Sequence, residues 1–589
     1  MSDSAKRGKQ IFQVVLIKPS HYDDDGYVIQ WLRSSIPSNT LAILYGLALD
    51  CIKRQVLGGD VEIRLHAHDE TNTRIKVQRI IRLIRSSGGR GVVALVGVQS
   101  NQSPRAMDLA RQFRAAGLQV CMGGFHVSGC LAMLPALPRD LQEAMACGVS
   151  LFAGELEGRM DVLLLDAFHN RLQPLYNYMK ELPALGGSPV PYLPASVIHR
   201  RTGSKTSFEA GRGCPFQCSF CTIINVQGRA SRHRSPDDVE QVIRANVAQG
   251  VSNFFISDDN FARNKNWEAI LDRLITLREA EGIAIRLIIQ VDTLSHQIPG
   301  FIEKAGRAGV NRVFIGLENI NPESLKGAHK RQNAVGKYRA MLQAWHSVGA
   351  LTLAGYILGF PADTPESIQR DIAIIQRELP IDLLEFFILT PLPGSQDHRT
   401  LHDQAVAMDP DMNRYDLAHV TTAHPKMSGQ DWQAIYQQAW EAYYTPDHVE
   451  RVIRRGKAWG FAPRHMMVKL FCFHACARIE RVHPLEGGLF RLKYRRDRRP
   501  GLPRESSLSF YSRYAWEILS KHGRYLALVL RYLRALYRVE TGRSKAEAAD
   551  LAMRPLEHAD AEALALAERA HDPRPWREEI AKPLPVLQG

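Results

Sequence analysis

Three cysteines lie close together in the segment GRGCPFQCSFC, residues 211–221. Cys214, Cys218 and Cys221 have the spacing C-x3-C-x2-C. A closed tetrahedral zinc site needs four protein ligands, and no histidine stands in or beside this segment before His233. Three thiolates instead match three irons of a cubane cluster and leave the fourth iron open, as a catalytic cluster requires. Reduced or zinc-bound cysteines remain the alternative.

A series of strand and helix patterns surrounds these cysteines and indicates what positions them. Six short apolar strands run from TSFEAGRG to LLEFFIL, and each strand after the first follows a helical pattern. This order predicts a partial (β/α)6 TIM-type barrel over residues 201–427, with its chemistry at the carboxyl ends of the strands. Ser235 and Pro236 predict the start of the next helix. We therefore expect the cysteines at the mouth of the barrel.

The rest of the chain divides around this predicted barrel. With 589 residues it is too long for one hydrophobic core. Residues 1–170 alternate apolar strands with helices, which predicts an α/β domain with a doubly wound parallel sheet. Residues 171–200 are rich in proline and glycine and predict a linker. Residues 428–545 have helical spacing and predict a helical C-terminal domain, followed by a partly mobile tail over 546–589.

Cysteine usage and hydropathy favour a reducing compartment. The nine cysteines are too sparse and irregular for a disulfide framework in a chain of this length. The N-terminus runs into a strand pattern without the apolar block of a signal peptide, and no stretch has the roughly 18 apolar residues of a spanning helix. We therefore expect a cytoplasmic protein.

The positive charge is concentrated in one region. The formal net charge is +14, and residues 451–540 hold 21 Lys and Arg against 6 Asp and Glu. Such a region suits nucleic acid or an anionic membrane surface. It includes a basic loop at 493–504 and a helix at 511–537 with an apolar and a basic face. The helix fits either an interfacial location or packing on the barrel, and the loop either binds anions or is merely solvated.

The cysteine segment resembles the motif of the radical S-adenosylmethionine (SAM) superfamily, in which an aromatic residue, here Phe220, usually precedes the third cysteine. The resemblance runs from about Thr206 to Gly394. It implies that Cys214, Cys218 and Cys221 hold a [4Fe-4S] cluster. The open iron of this cluster would chelate the amino and carboxyl groups of SAM, which is then reduced to methionine and a 5'-deoxyadenosyl radical.

Further segments resemble the SAM pocket of that superfamily in the expected order. NFFISDDNF stands where the family helps to hold the methionine amino group, RVFIGLEN resembles its strand ending in Gly and Glu, and two later strand ends follow. The resemblance implies SAM contacts from Phe220, Asp258, Gly316, Glu318, Gly359 and Pro393. Helix capping by the aspartates and ordinary loop structure at the glycines remain alternatives. A buried glutamate at a strand end also predicts a ligand or an arginine nearby.

The N-terminal domain resembles the cobalamin-binding domain found in one large class of these enzymes. The resemblance rests on VGVQSNQS, VCMGGFHVSG and FAGELEGR, and it implies cobalamin contacts from Ser100, Gly123, Gly124, His126, Gly154 and Glu155. The Asp-x-His-x-x-Gly motif that supplies a lower cobalamin ligand is absent. Two alternatives remain. The domain has lost cobalamin, or His126 is an ordinary surface or loop histidine that does not contact the cofactor.

These resemblances imply a cobalamin-dependent radical SAM enzyme that transfers a methyl group to an unactivated carbon of a biosynthetic intermediate. A radical oxidative cyclase or rearrangement enzyme is the alternative within the superfamily. A basic nucleic-acid-binding protein with structural cysteines is the alternative outside it. We expect a small-molecule or lipid-like substrate, an external one-electron donor and no nucleic acid. Peripheral membrane contact through the basic C-terminal region is left open.

Overall fold

The computed structural model describes residues 9–544 and 550–554. The chain forms two compact units. Unit 1 comprises Met1–Ile289, Thr390–Asp416 and Val482–Lys521, and unit 2 comprises Gln290–Leu389, Leu417–Arg481 and His522–Gly589. The tail predicted over 546–589 lies outside the described residues except for 550–554.

Unit 1 begins with a doubly wound sheet. Its elements are β1 (Gln10–Lys18), β2 (Gln30–Ser34), α1 (Asn39–Lys53), β3 (Val61–Asp69), α2 (Val77–Ser86), β4 (Gly91–Leu95), α3 (Ser103–Ala115), β5 (Gln119–Gly123), α4 (Phe125–Met133), α5 (Arg139–Ala146), β6 (Ser150–Ala153), α6 (Met160–Phe168) and β7 (Leu175–Asn177). The parallel sheet has the order β3-β1-β4-β5-β6-β7. The carboxyl ends of β4 and β5 are where such a sheet binds ligands.

The segment predicted as a linker, 171–200, contains regular structure. It contributes β7 as the edge strand beside β6, and then the short helix α7 (Ala195–Ile198). A three-residue edge strand has too few positions to show alternation, and the prolines and glycines around it dominate the local pattern.

The cysteine segment follows in the same unit. The elements are β8 (Lys205–Phe208), β9 (Gly211–Arg212), α8 (Ile223–Val226), β10 (Arg232–His233), α9 (Pro236–Val247), β11 (Asn253–Ile256), α10 (Trp267–Glu279) and β12 (Arg286–Val291). Strands β8 and β11 are parallel, as are β11 and β12. Ser235 caps α9 as predicted, since its hydroxyl accepts from the N–H of Asp238 at 3.1 Å.

Unit 2 contains the last three predicted strands. Its series is α11 (Phe301–Ala308), β13 (Val310–Glu318), α12 (Pro322–Gly327), α13 (Tyr338–Ser347), β14 (Leu351–Leu358), α14 (Pro365–Glu378) and β15 (Leu383–Ile388). Strand β14 pairs in parallel with both β13 and β15. All six strands predicted for residues 201–427 are therefore present, and each unit holds parallel pairs of them.

The C-terminal region is mainly helical, with one exception. Its helices are α15 (Gln396–Asp403) in unit 1, α16 (Gly429–Tyr443), α17 (Pro446–Ala458) and α18 (Pro463–Ala475) in unit 2, and the long α19 (Ser507–Glu540). A strand, β16 (Gly488–Leu492), interrupts the predicted helical region and pairs antiparallel with β2 in unit 1. The partner is distant in sequence, so local periodicity did not predict this strand. No helix in the described ranges is long and apolar enough to cross a membrane.

Candidate functional site

The three predicted cluster cysteines lie on one loop of unit 1. This cysteine loop, residues 213–222, runs from β9 to α8, and β9 pairs with β10 across its base. The N–H of Cys221 donates to the carbonyl oxygen of Cys218 at 3.2 Å. Gly213, just before Cys214, has a φ of 91°, and a Cβ there would lie 2.4 Å from the carbonyl oxygen of Ala230. The turn into the loop therefore requires glycine.

The thiols of the loop lie in a partly buried setting. None of the nine cysteines, all of which lie within the described residues, forms a disulfide. No three His, Cys, Asp or Glu side chains of the described residues are grouped so that they could hold one ion. In a cubane cluster each thiolate binds a different iron, so the three sulfur atoms do not have to surround one common point. Burial raises the pKa of the Cys221 thiol to about 12, so this thiol must lose a proton when metal binds. Phe220 is partly exposed beside it.

Two adjacent aspartates follow β11, and their carboxylates are used differently. Asp258 accepts hydrogen bonds from the N–H of Ala210 at 2.7 Å and from the side-chain amide of Asn264 at 2.9 Å. In Asp259, Oδ2 is buried and has no hydrogen-bond partner among the described residues. Burial raises the pKa of each carboxyl to about 7. Within the described residues, Asp259 thus keeps one buried oxygen without a hydrogen-bond partner, and the contact of Asp258 with SAM stays a prediction.

Gly316 and Glu318 lie at the carboxyl end of β13 in unit 2. Glu318 has a φ of 64°, and its Oε1 forms an ion pair with Lys330 Nζ. The Asn333 amide donates to the carbonyl oxygen of Gly316 at 3.1 Å. The sequence predicted a ligand or an arginine beside this glutamate, and the structure places a lysine there. A glutamate held in the left-handed region by an ion pair is typical of a binding site.

Gly359 follows β14, and its neighbour explains why a glycine is needed. Its φ is 102°, and a Cβ would lie 2.0 Å from Cζ2 of Trp432. The indole of Trp432 donates to the carbonyl oxygen of Leu358 at 3.1 Å. The glycine therefore admits an indole against the backbone. For Gly359 the sequence left two explanations open, a contact with SAM and ordinary loop structure. The packing of Trp432 is an explanation of the second kind.

The segment at Pro393 contacts both the cysteine-loop helix and the doubly wound sheet, all within unit 1. A Cβ on Gly129 of α4 would lie 2.3 Å from the carbonyl oxygen of Pro393. The side-chain amide of Asn225 on α8 donates to the carbonyl oxygen of Gly394 at 2.9 Å. The helix after the cysteines and the helix after β5 therefore meet at this segment.

The residues predicted to line a cobalamin groove lie at the ends of β4 and β5. Gly124 has a φ of 149°, and a Cβ there would lie 2.2 Å from the backbone nitrogen of Val98. His126 is buried; its Nε2 lies 2.7 Å from Asp140 Oδ2, and its Nδ1 lies 3.2 Å from Ser100 Oγ. Both ring nitrogens of His126 therefore have partners within the protein.

Gly123 and Gly154 are constrained by close backbone contacts. A Cβ on Gly123 would lie 2.9 Å from the carbonyl oxygen of Phe152. Gly154 has a φ of 101°, and its N–H donates to Ser128 Oγ at 3.1 Å. Both glycines keep the carboxyl edge of the sheet free of side chains at these positions.

A buried charge cluster lies directly before the cysteine loop and was not predicted from the sequence. It contains three guanidinium groups and three carboxylates: Arg212, Arg232, Arg234, Glu155, Glu157 and Glu209. Arg212 contacts all three carboxylates. Burial alone would raise the pKa of Glu209, but Arg212 and Arg234 hold it below its usual value. Glu155, predicted as a cobalamin contact, is thus engaged with arginines.

The model of the radical SAM superfamily matches residues 208–374. A bacteriochlorophyllide d C-8(2)-methyltransferase of Chlorobaculum tepidum is 28% identical over 347 residues, which cover 55% of this chain and 72% of the relative. The hopanoid C-2 methylase of Rhodopseudomonas palustris is 25% identical over 365 residues, covering 55% of this chain and 67% of the relative.

A solved structure shares the fold over most of the chain. It is the radical SAM methyltransferase TsrM from Kitasatospora setae with cobalamin and a [4Fe-4S] cluster bound. The two chains are 15% identical, the match covers 78% of this chain and 99% of TsrM, and the TM-score is 0.55. The matched region, residues 208–374, begins at the last residue of the strand before Cys214, Cys218 and Cys221, so this part of the chain is similar to the radical SAM superfamily.

Proposed function

We propose that this protein is a cobalamin-dependent radical SAM enzyme that transfers a methyl group to an unactivated carbon of a biosynthetic intermediate. The observation that carries the proposal is the meeting of α8 and α4 at Pro393 and Gly394 within unit 1. It brings the cysteine loop next to the helix that follows a ligand-binding end of the doubly wound sheet. The named methyltransferases among the relatives support the same activity.

The residues around the cysteine loop fit a cluster with bound SAM. Cys214, Cys218 and Cys221 would hold the [4Fe-4S] cluster. Asp259 acts electrostatically on Cys221, and its buried Oδ2 has no hydrogen-bond partner within the part of the chain that the structure describes, so it would accept a hydrogen bond from the SAM amino group. Asp258 would support this site by fixing the backbone before the loop. Phe220, Gly316, Glu318, Gly359 and Pro393 remain the other proposed SAM contacts.

The glycine-lined edge of the sheet fits cobalamin. Gly123, Gly124 and Gly154 are partly exposed at this edge and let neighbouring backbone segments pack closely there, and Ser100 Oγ lies 3.2 Å from His126 Nδ1. Glu155 would act through the charge cluster before the cysteine loop. When bound, the cluster would pass one electron from an external donor to SAM, and cobalamin would carry the methyl group. The chain itself orients these groups and the substrate.

The test is the set of products that the anaerobically reconstituted protein forms from SAM. With cobalamin we expect both 5'-deoxyadenosine and S-adenosylhomocysteine, and without cobalamin the second product should be lost. Gly124→Val should have the same effect as omitting cobalamin, because its side chain would collide with the backbone at Val98. Product quantification by mass spectrometry measures both effects.

The iron content of Gly124→Val serves as its control, since it should equal that of the parent. If S-adenosylhomocysteine forms equally without cobalamin, the cobalamin-dependent methyl transfer is wrong. Formation of 5'-deoxyadenosine alone, with cobalamin present and a substrate mixture supplied, would favour the radical cyclase or rearrangement enzyme.

We also propose that α19 contacts an anionic membrane surface, which suits a lipid-like substrate. In its unit 2 portion Leu526, Leu530 and Leu533 are 62%, 58% and 44% exposed. They lie three and four residues apart and form one outward stripe. Leu528 and Tyr532 pack the opposite face, with exposures of 5% and 3%. The helix therefore has two apolar faces where the sequence predicted one, and the described residues leave the face with Leu526, Leu530 and Leu533 exposed.

The charges beside this stripe favour a membrane as its partner. Arg531 and Arg534 are exposed on α19, and the region 451–540 has a large positive surplus. An in-plane helix with leucines on one face and arginines beside them binds anionic lipids through both contributions.

We expect the protein to float with vesicles that contain equal parts of phosphatidylcholine and phosphatidylglycerol. Flotation should be weak with phosphatidylcholine alone. The double variant Leu526→Glu/Leu530→Glu should lose at least about 10-fold in vesicle binding, because two charges would enter the apolar boundary. Val162→Glu/Val468→Glu changes two valines that are 44% and 49% exposed elsewhere, and it should bind like the parent. Equal flotation of both double variants would contradict the membrane contact.

A further inference from the structure

Strand β13 in unit 2 has one buried face and one partly exposed face. The buried face is formed by three residues that are each 0% exposed, namely Val313, Ile315 and Leu317. The residues between and before them, which include Arg312 and Phe314, are partly exposed. Because alternate residues of a strand share a face, Arg312 lies on the same face as Gly316, a proposed SAM contact. It is about 13 Å from Gly316 along the strand, since each residue advances about 3.3 Å.

A second cationic side chain of unit 2 lies beside Arg312. Lys469 of α18 interacts electrostatically with the Arg312 guanidinium and with the Cys472 thiol on its own helix. Helix α18 packs against β15, which belongs to the same sheet as β13. Lys469 is partly exposed, as Arg312 is, and Cys472 is exposed. Molecules in solution can therefore reach both cations.

This pair of cations has no counter-charge in the protein. Among the described residues, neither Arg312 nor Lys469 forms a side-chain hydrogen bond or an ion pair. Of the carboxylates on the same face of the sheet, Glu318 is paired with Lys330, and no charged group acts on Glu385.

The missing counter-charge also affects protonation. Partial burial lowers the pKa of Arg312. Burial, and then the charge of Arg312, lower the pKa of Lys469 to about 8. Two neighbouring cations that lose hydration without a carboxylate beside them are typical of a site for an external anion.

We propose that Arg312 and Lys469 bind an anionic oxygen group of the substrate, a carboxylate or a phosphate, while Phe314 contacts the adjoining part of the same molecule. A guanidinium binds either anion through two parallel N–H donors, and an ammonium adds a compact charge. The substrate class is then an organic acid with an apolar body. This inference rests on the proposed function, since it places the substrate on the strand face that ends at Gly316. The pair holds the substrate and takes no part in the cleavage of SAM.

Equilibrium binding of simple probes tests the site without turnover. The probes are 1-naphthoate, 1-naphthyl phosphate and the uncharged 1-naphthamide, which share one ring system. We expect the parent to bind at least one anion at least about 10-fold more tightly than the amide by ligand-observed NMR titration, as expected for charge-assisted hydrogen bonds. The anion that binds more tightly identifies the acidic group of the substrate. Arg312→Gln should remove the preference for the anion, and Lys469→Gln should weaken it at least about 3-fold.

A variant on the same helix is the matched control. Arg464 of α18 has an 81% exposed side chain and an ion pair with Glu540. Arg464→Gln removes the same charge and should keep the full preference for the anion. The proposal is overturned if neither anion binds more tightly than the amide, if Arg312→Gln keeps the preference, or if Arg464→Gln loses it equally. Product formation from SAM is measured separately, so a failure of methyl transfer leaves this result readable.

Chemical modification of Lys469 gives a second readout that depends on access to the site. An accessible amine with a pKa of about 8 is partly neutral at pH 8, whereas an ordinary lysine, with a pKa of about 10.4, is almost fully protonated. A limiting amount of an acetylating ester should therefore modify Lys469 faster than Lys326, which is exposed in the same unit. A saturating amount of the preferred anion should slow acetylation at Lys469 at least about 5-fold and leave Lys326 unchanged. Peptide mass spectrometry measures both rates, and equal acetylation of Lys469 with and without the anion would overturn the proposal.

Discussion

Replacing any one of Cys214, Cys218 and Cys221 by alanine is expected to remove the iron–sulfur absorption and to reduce SAM cleavage to background. Each thiolate would hold a different iron, so two remaining thiolates leave a second iron open and a labile cluster. The three cysteines share one short loop, and among the described residues no group of three or more His, Cys, Asp or Glu side chains is placed to hold a single metal ion in their stead. Anaerobic reconstitution followed by iron, sulfide and 5'-deoxyadenosine assays measures the effect.

Two other cysteines give matched controls for this experiment. Cys147 and Cys472 are both exposed, and neither lies on the cysteine loop. Cys147→Ala and Cys472→Ala should keep the iron content and the cleavage rate of the parent. A loop variant that retained full iron and full cleavage would show that its cysteine is not a ligand. Equal loss in all five variants would point to general damage during reconstitution.

The sequence predicted the elements whose signals are local. The six strands of residues 201–427 are short apolar runs between amphipathic helices, and each appears where its pattern placed it. Ser235 and Pro236 predicted the start of α9 because capping involves only neighbouring residues. The place of the cysteines after the first strand of this series followed from the same local reasoning.

Features that depend on distant partners could not be predicted in this way. Strand β16 exists because it pairs with β2, more than 400 residues earlier in the chain. The choice between Asp258 and Asp259 also needed the structure. The two residues are identical in type, and only the hydrogen bonds to Ala210 and Asn264 show which carboxylate is already used. Helical spacing alone also does not show which face a neighbour covers, since Cys472 is exposed and Cys476, four residues later, is buried.

The charge cluster before the cysteine loop is the largest feature that the sequence concealed. Arg212 lies more than 50 residues after Glu155 and Glu157 in the sequence, although it contacts both. In the sequence, FAGELEGR and GRGC each show ordinary charged residues. Only folding brings them together. Arg212 is two residues from Cys214, so the cluster fixes the backbone from which the cysteine loop starts.

Arg212→Met is therefore expected to destabilise unit 1 by about 3–5 kcal/mol, because it leaves a buried carboxylate without its counter-charge. Among the described residues, Glu157 loses its ion-pair partner and Glu209 keeps Arg234. We expect a melting temperature lower by about 10 °C and incomplete cluster loading. Differential scanning calorimetry and iron assays measure both. Arg244→Met removes an arginine whose ion pairs are on the surface, and it should change little.

Two further comparisons separate lost charge balance from lost packing. The double variant Arg212→Met/Glu157→Gln should recover part of the melting temperature, since it removes one of the carboxylates left unpaired. The single variant should also be less destabilised near pH 5 than near pH 8. Unpaired buried carboxyls take up protons more readily when folded, so their stabilising contribution is lost as pH rises. If Arg212→Met were equally unstable at both pH values and Glu157→Gln gave no rescue, the cluster would act through packing alone. Its electrostatic role in fixing the cysteine loop would then be wrong.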